Sequence, residues 1–405
     1  MLRRGLSILL CLTASSCAIG QQISPTTELV VDVPPSKTPT LSSPLTPART
    51  ATVTLLPGPT ATHTPSLSPQ VSLSANGPWV LIMNQDGIWA ANGDGEGLTH
   101  LSQDVVLYRA VAVSGSWIAY ATEREEEPGP EGRGDLVLRV MSLPEGIIQT
   151  VTDLQIRNMT SDSPDDLQFS ADQVYRALAF EGGGIAWSPD GTELAFVSGH
   201  GGTSADVYIY NRDTGQISRL TDGPSHAYQL SWSPDGQYIF HTGASSFGSG
   251  AGYAMVGVWV AIADGTGTRS LYVPDPRSGA EVLVDWVSAN TALVHSWQPD
   301  CGGLNLMTVN VPSGEIQVVW PHYFNQVAYK PDMGTILIDA HGIRCNPEGA
   351  SGFYQIELVG AELKQVSSEE YYSQLPQMPP DPVSVTLEQY LETLLEVERV
   401  IWVQP

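Results

Sequence analysis

Ile185-Ala186-Trp187-Ser188-Pro189-Asp190-Gly191-Thr192-Glu193-Leu194-Ala195-Phe196 is an apolar run ending in an aromatic, then a tight bend, then an alternating run. Proline at the second bend position presets φ, and glycine supplies the positive φ that a tight hairpin requires. The aspartate between them can satisfy exposed turn amides. The stretch therefore predicts two antiparallel strands joined by a short turn. It recurs as Leu230-Ser231-Trp232-Ser233-Pro234-Asp235-Gly236-Gln237-Tyr238-Ile239-Phe240. A period of about 45 residues suits one four-stranded propeller blade.

Weaker copies extend the pattern in both directions: Val284-Asp285-Trp286-Val287-Ser288-Ala289-Asn290, Val327-Ala328-Tyr329-Lys330-Pro331-Asp332-Met333-Gly334, and a degenerate Val111 to Tyr120. Each copy is followed by a third strand, a turn and a fourth strand. Asp206 to Tyr210, Val256 to Ala261, Leu304 to Val309 and Phe353 to Leu358 read as third strands, and Ile217 to Leu220 and Ile316 to Val319 as fourth strands. Strand, turn, strand, gap, strand, turn, strand is one blade. The fold class is therefore all-β, a propeller of about six four-stranded blades over 77–103, 104–154, 175–223, 226–274, 280–320 and 323–367, with an irregular seventh possible. The first blade looks short. Either Gln70 to Ser74 opens it, or Arg399-Val400-Ile401-Trp402-Val403 returns to close the ring as its missing inner strand. Ahead of that last segment, Leu387 to Val397 has helical spacing of Leu and Val.

These residues resemble the TolB-like, WD40-like propeller repeat family, over roughly residues 77–370. The resemblance implies a radial ring of blades. The chain departs from the family's best-known member in having no α/β domain ahead of the ring, so that member's partners are not carried over.

The first residues are laid out as an export signal, with Arg3 and Arg4 before an apolar stretch from Leu6 to Leu12. That stretch is too short to span a bilayer, which takes about 20 residues. Ala14-Ser15-Ser16-Cys17 resembles a bacterial lipobox, with Ala14 in place of the usual Leu, so Cys17 is the expected lipidation site; an ordinary signal peptide cleaved nearby is the alternative. The expected layout is a signal peptide at 1–16, a linker at 17–76 rich in Pro, Thr and Ser, the propeller at 77–370 and a C-terminal segment at 371–405. The linker has little to bury and reads as an extended, solvated tether, either a passive spacer or an acceptor of O-linked sugar. The expected location is extracytoplasmic and membrane-anchored, periplasmic or at the cell surface.

With 43 acidic against 18 basic residues the formal net charge is −25, which excludes a phosphate-neutralising nucleic-acid binder. The connections between second and third strands are long and the opposite turns short. A rigid scaffold with variable loops on one side is the usual arrangement for binding. The candidate binding face takes in Glu125, Glu126, Glu127, His200, Phe247, Tyr253, His341 and Arg344; ordinary solvated insertions are the competing reading.

Cys301 and Cys345 fall in equivalent loops of consecutive blades, which are neighbours in space. Outside the cytoplasm such a pair oxidises, and a disulfide there is worth about 2–4 kcal/mol. A metal pair is the less favoured reading, since no second ligand cluster accompanies them. Thiol titration of exported, denatured protein is expected to find neither sulfhydryl free; finding both free rules the bridge out.

No catalytic motif is legible: there is no Gly-x-Ser-x-Gly elbow, no His-Glu-x-x-His and no Walker loop. Asn92-Gly93-Asp94-Gly95-Glu96-Gly97 has some calcium-loop character but sits where a hairpin turn is expected. No cofactor and no metal is expected. The reading favoured by sequence is a monomeric, non-catalytic envelope lipoprotein that binds a protein, peptide or glycan through the long-loop face. The alternative is a propeller hydrolase or lyase with carboxylate or His groups at the channel mouth, because propellers host both.

Overall fold

A computed structural model of the chain describes residues 73–123, 136–154, 178, 183–200, 204–223, 225–247, 253–272, 281–297, 304–341, 350–358, 362–375 and 399–404. Cys17, Glu125, Glu126, Glu127, Cys301, Arg344, Cys345 and the 387–397 stretch lie outside the described residues, as do residues 70–72. No helix among the described residues is long and apolar enough to cross a membrane.

Six antiparallel four-stranded sheets follow one another along the chain. The first contains β1 (Trp79–Asn84), β2 (Gly87–Asn92) and β3 (Thr99–Ser102). The second is β4 (Val106–Ser114), β5 (Trp117–Glu123), β6 (Leu136–Ser142) and β7 (Ile147–Asp153). The third is β8 (Ile185–Trp187), β9 (Glu193–Ser198), β10 (Asp206–Asn211) and β11 (Ile217–Arg219). The fourth is β12 (His226–Trp232), β13 (Tyr238–Phe247), β14 (Tyr253–Ile262) and β15 (Thr268–Tyr272). The fifth is β16 (Glu281–Ser288), β17 (Thr291–Trp297), β18 (Leu304–Asn310) and β19 (Ile316–Trp320). The sixth is β20 (Gln326–Lys330), β21 (Thr335–Asp339), β22 (Phe353–Glu357) and β23 (Glu362–Val366), followed by helix α1 (Ser368–Gln374).

The last strand, β24 (Arg399–Val403), returns to the first sheet and pairs antiparallel with β1, Trp79 opposite Val403 and Ile82 opposite Val400. Of the two ways the sequence offered to complete the first blade, the structure takes this one. The circuit of blades thus begins and ends in a single sheet. Leu73, ahead of β1, is buried in the core shared by the first two blades.

The motif hairpins form as their chemistry requires. In the third blade Ser188 Oγ donates to Asp190 Oδ1 at 2.6 Å, and that oxygen also accepts from the Thr192 amide at 3.0 Å. Gly191 has φ +68°, and a Cβ there would meet Ser114 Oγ of the second blade at 2.7 Å. The fourth blade repeats the arrangement, with Ser233 Oγ on Asp235 Oδ1 at 2.6 Å and Gly236 at φ +72°. These bonds hold the Asp190 carboxyl below the usual range, the Ser188 hydroxyl contributing most. The Asn92 to Gly97 stretch is a hairpin turn as well, closed by Asn92 N on Glu96 O at 2.9 Å and by Glu96 N on Asp94 Oδ1 at 3.0 Å. Part of the acidic surplus is therefore turn chemistry.

Blade-to-blade packing uses the motif aromatics. Trp187 Nε1 donates to Ala112 O at 3.3 Å, Trp232 Nε1 to Ala186 O at 2.9 Å, and Trp286 Nε1 to Ser231 Oγ at 3.1 Å. Tyr329 OH completes the series on Val287 O at 3.4 Å. Each inner-strand aromatic thus reaches back to the inner strand of the preceding blade, and so buries a large apolar ring while its one polar atom stays satisfied. Gln229 interrupts β12 at a bulge with φ +55°, a costly conformation for a residue with a side chain. Its amide offsets that cost by donating to Leu283 O of the next blade at 3.3 Å and accepting from Thr242 Oγ1 at 3.1 Å.

Candidate functional site

Connections from first to second strands span only 115–116, 188–192, 233–237 and 289–290. On the opposite face, second-to-third and blade-to-blade connections include 124–135, 154–184, 298–303 and 340–352. At the base of that face, among the described residues, three carboxylates fix the backbone where strands enter and leave it.

In the second blade the anchor is Asp104, on the crossing from the first blade. Its Oδ2 accepts from Tyr120 OH at 2.6 Å and its Oδ1 from Arg139 Nη1. Burial, reinforced by the Asp104 charge, pushes the Tyr120 hydroxyl well above its ordinary value, so it remains a donor. In the third blade the anchor is Asp206, 1 % exposed. It accepts from Ser204 Oγ at 2.7 Å, Arg219 Nη2 at 2.7 Å, Thr221 Oγ1 at 2.9 Å and Gly223 N at 2.9 Å. Next to it the buried His226 accepts the Ala205 amide on Nδ1 at 3.1 Å, so the neutral ring carries its proton on Nε2. In the sixth blade Asp339 Oδ1 accepts from His341 N at 2.9 Å and Asn325 Nδ2 at 3.4 Å, and Asn325 Nδ2 also reaches His341 O at 2.8 Å.

The residues singled out from sequence fall in different settings. His200 is half-buried, its Nε2 within 2.7 Å of Thr152 Oγ1 and its ring edge-on to Tyr208 at 5.9 Å. Burial lowers its pKa, against the pull of Asp153. His341 is exposed and stacked on Phe353 at 5.8 Å with 5° between the planes. Phe247 and Tyr253, read from sequence as part of a long loop, are the paired end residues of β13 and β14. The ladder runs further than expected because two register shifts, at Gly243/Ala244 and Ala244/Ser246, absorb the small-residue stretch.

Two acid–base features were missed in sequence. His241 of β13 is fully buried, and neither ring nitrogen has a hydrogen-bond partner among the described residues. Burial lowers its pKa from 6.5 to about 4, against the Thr242 backbone and the Asp206 charge. The unfolded chain then binds this proton before the folded one does. Stability is expected to fall as pH drops from 6.5 towards 4, by roughly 3 kcal/mol over the full window. Urea unfolding of His241→Leu against the parent at both ends of that range checks it: the variant should lose most of this pH dependence, and an unchanged slope would refute the assignment. Asp285, on inner strand β16, is the second feature. It is exposed, yet enclosing protein raises its pKa, opposed by the Trp286 N–H donated at 2.7 Å. Burial and the Asp285 charge raise that of Tyr329 in turn.

Six radial four-stranded blades, joined through inner-strand aromatics and closed by the C-terminal strand, define a β-propeller with one decorated face. Solved structures similar to the chain are TolB-like and related propeller proteins. They include TolB from Acinetobacter baumannii (15% identity, 72% of this chain and 65% of that one, TM-score 0.36). An oligogalacturonate lyase from Vibrio parahaemolyticus is 15% identical over 62% of this chain and 61% of its own, TM-score 0.35. The acylaminoacyl peptidase of Pyrococcus horikoshii is 11% identical over 63% of this chain and 38% of its own, TM-score 0.41. Among curated proteins, the uncharacterized peptidase YuxL of Bacillus subtilis (strain 168) is 45% identical over 56 residues, 14% of this chain and 8% of that protein. The chain thus spans less than two thirds of the length of these first relatives. No family model matches the chain.

Proposed function

We propose that the chain is a non-catalytic cell-envelope lipoprotein whose propeller binds a protein, peptide or glycan through its long-loop face. The observation that carries this reading is the set of acidic anchors at the base of that face. Asp104, Asp206 and Asp339 each tie a connection to the blade beneath it. Backbone fixed in this way at the base of the face gives a partner a preorganised surface, which lowers the entropy lost on binding. The acidic balance favours partners with basic surfaces.

The test is crosslinking and pulldown from intact envelopes, with Cys17→Ser run in parallel. Wild type is expected in the membrane fraction with a partner crosslinked to the loop face. Cys17→Ser should lose membrane attachment while the purified propeller keeps its partner. Retention of the variant in the membrane would remove the lipid anchor from the reading. Asp285 favours a second reading, a propeller enzyme: a carboxyl that solvent reaches but whose pKa is raised is suited to proton transfer. Turnover of any substrate that Asp285→Asn abolishes without weakening binding would establish that alternative.

A further inference from the structure

We propose that the rim of the sixth blade is a docking platform for an arginine side chain of a basic segment on a partner protein, formed by His341, Phe353 and Tyr372 around Asp339. This rests on the reading of the loop face as a binding surface and specifies the chemistry of what it takes.

The platform is assembled by packing that leaves aromatic faces at the surface. Phe353 opens β22 and contacts three rings: His341 stacked at 5.8 Å, Tyr371 tilted at 4.9 Å and Tyr372 edge-on at 5.7 Å. Tyr371 is fully buried with Leu337 and Val366, on the side of the sixth sheet opposite the one packed against the fifth blade. It pins α1 there and holds Tyr372, 56 % exposed, beside it at 5.3 Å between centroids. The result is an exposed tyrosine and an exposed histidine flanking a half-buried phenylalanine. An aromatic face attracts cations through its quadrupole, and guanidinium groups stack on it as well.

The acceptor beside these rings is the Asp339 carboxylate, on the residue paired in register with Phe353. Tyr371 OH and Gln374 Oε1 are buried and have no hydrogen-bond partner. Burial and the neighbouring Asp339 charge push the Tyr371 hydroxyl up to about 12, so it stays neutral. Among the described residues Asp339 accepts only from neutral donors, the His341 amide and the Asn325 side chain, and no ion pair uses it. An apolar ligand would leave the Asp339 carboxylate without an ionic partner, and an anion would meet that carboxylate and the field of a protein of net charge −25. A guanidinium offers five donors in a plane that also stacks on rings, so it answers both features together.

The experiment titrates the full chain, carrying ring-labelled His and Tyr, with N-acetyl-arginine amide and with N-acetyl-citrulline amide, its uncharged near-isostere, following the ring resonances by NMR. The arginine probe is expected to shift the His341 and Tyr372 signals saturably, and the citrulline probe to bind about tenfold more weakly. Tyr372→Leu alters an exposed ring and should weaken the arginine probe about fivefold without changing the melting temperature. Asp339→Asn is expected to weaken it further. Equal binding of the two probes, shifts confined to other rings, or indifference to Tyr372→Leu would each overturn the platform. If the envelope pulldown captures a partner equally with Tyr372→Leu, the loop face still binds and this inference alone falls. If the arginine probe binds as described but no partner is captured, the platform stands and the wider reading falls.

Discussion

Asp206→Ala is expected to destabilise the propeller by about 3–5 kcal/mol, because it leaves a half-buried arginine nitrogen with only the exposed Asp222 and strands three further donors at once. The carboxylate is 1 % exposed and is the common acceptor for Ser204, Arg219, Thr221 and the Gly223 amide. Asp206→Asn keeps the shape but loses the charge, and should cost about 1.5–3 kcal/mol. Arg219 also pairs with the exposed Asp222 at 2.8 Å, so part of its charge stays compensated and the alanine variant should still fold. Urea unfolding gives both values. A double-mutant cycle with Arg219→Met separates the Asp206–Arg219 pair from the hydroxyl and amide bonds, which should account for more than half the total. A cost under about 1 kcal/mol for Asp206→Ala would mean the site is open to water and not the anchor described.

Truncation before Arg399 is expected to have an effect of similar size by a different route. β1 is buried along its whole length, Trp79 to Asn84, and its inner edge is covered by β24. Removing residues 399–405 exposes that ladder and takes away Val403, fully buried, and Ile401, packed on the core of the first two blades. Burial of those two side chains alone is worth about 3 kcal/mol, before the lost backbone bonds are counted. The truncated chain should melt at least about 5 °C lower and tend to associate through the uncovered edge. A synthetic peptide of residues 399–405 added in trans should recover part of the loss. A truncated chain that melts with the parent would show that the first blade does not depend on this strand.

The two hairpins around Pro189 and Pro234 were legible because every requirement they meet is local: the φ of proline, the positive φ of glycine, and a carboxylate two residues from the amide it accepts. The blade count followed from their spacing. The candidate site was legible only as a face. Strand order fixes which end of a blade carries the long connections, but not which side chains lie beside each other there. His200 and His341 were singled out on the same grounds, as loop histidines, yet one is held against Thr152 and the other stacks in the open on Phe353. Asp104, Asp206 and Asp339 do the same work from unlike positions, a crossing, the start of a third strand and the end of a second, so no motif marks them.

By itself, then, the sequence determined the blades: how many there are, where the motif hairpins turn, and that the last strand was able to return to the first sheet, but not that β13 and β14 run on to Phe247 and Tyr253. Tertiary structure alone decided that Trp232 bonds to Ala186 of the neighbouring blade, that His241 is buried without a partner among the described residues, and that Tyr372 and His341 both meet the ring of Phe353. A turn is settled by a handful of adjacent torsions. A buried histidine or a cluster of rings is settled by which distant surfaces meet, and that is known only once every blade has been packed against the next.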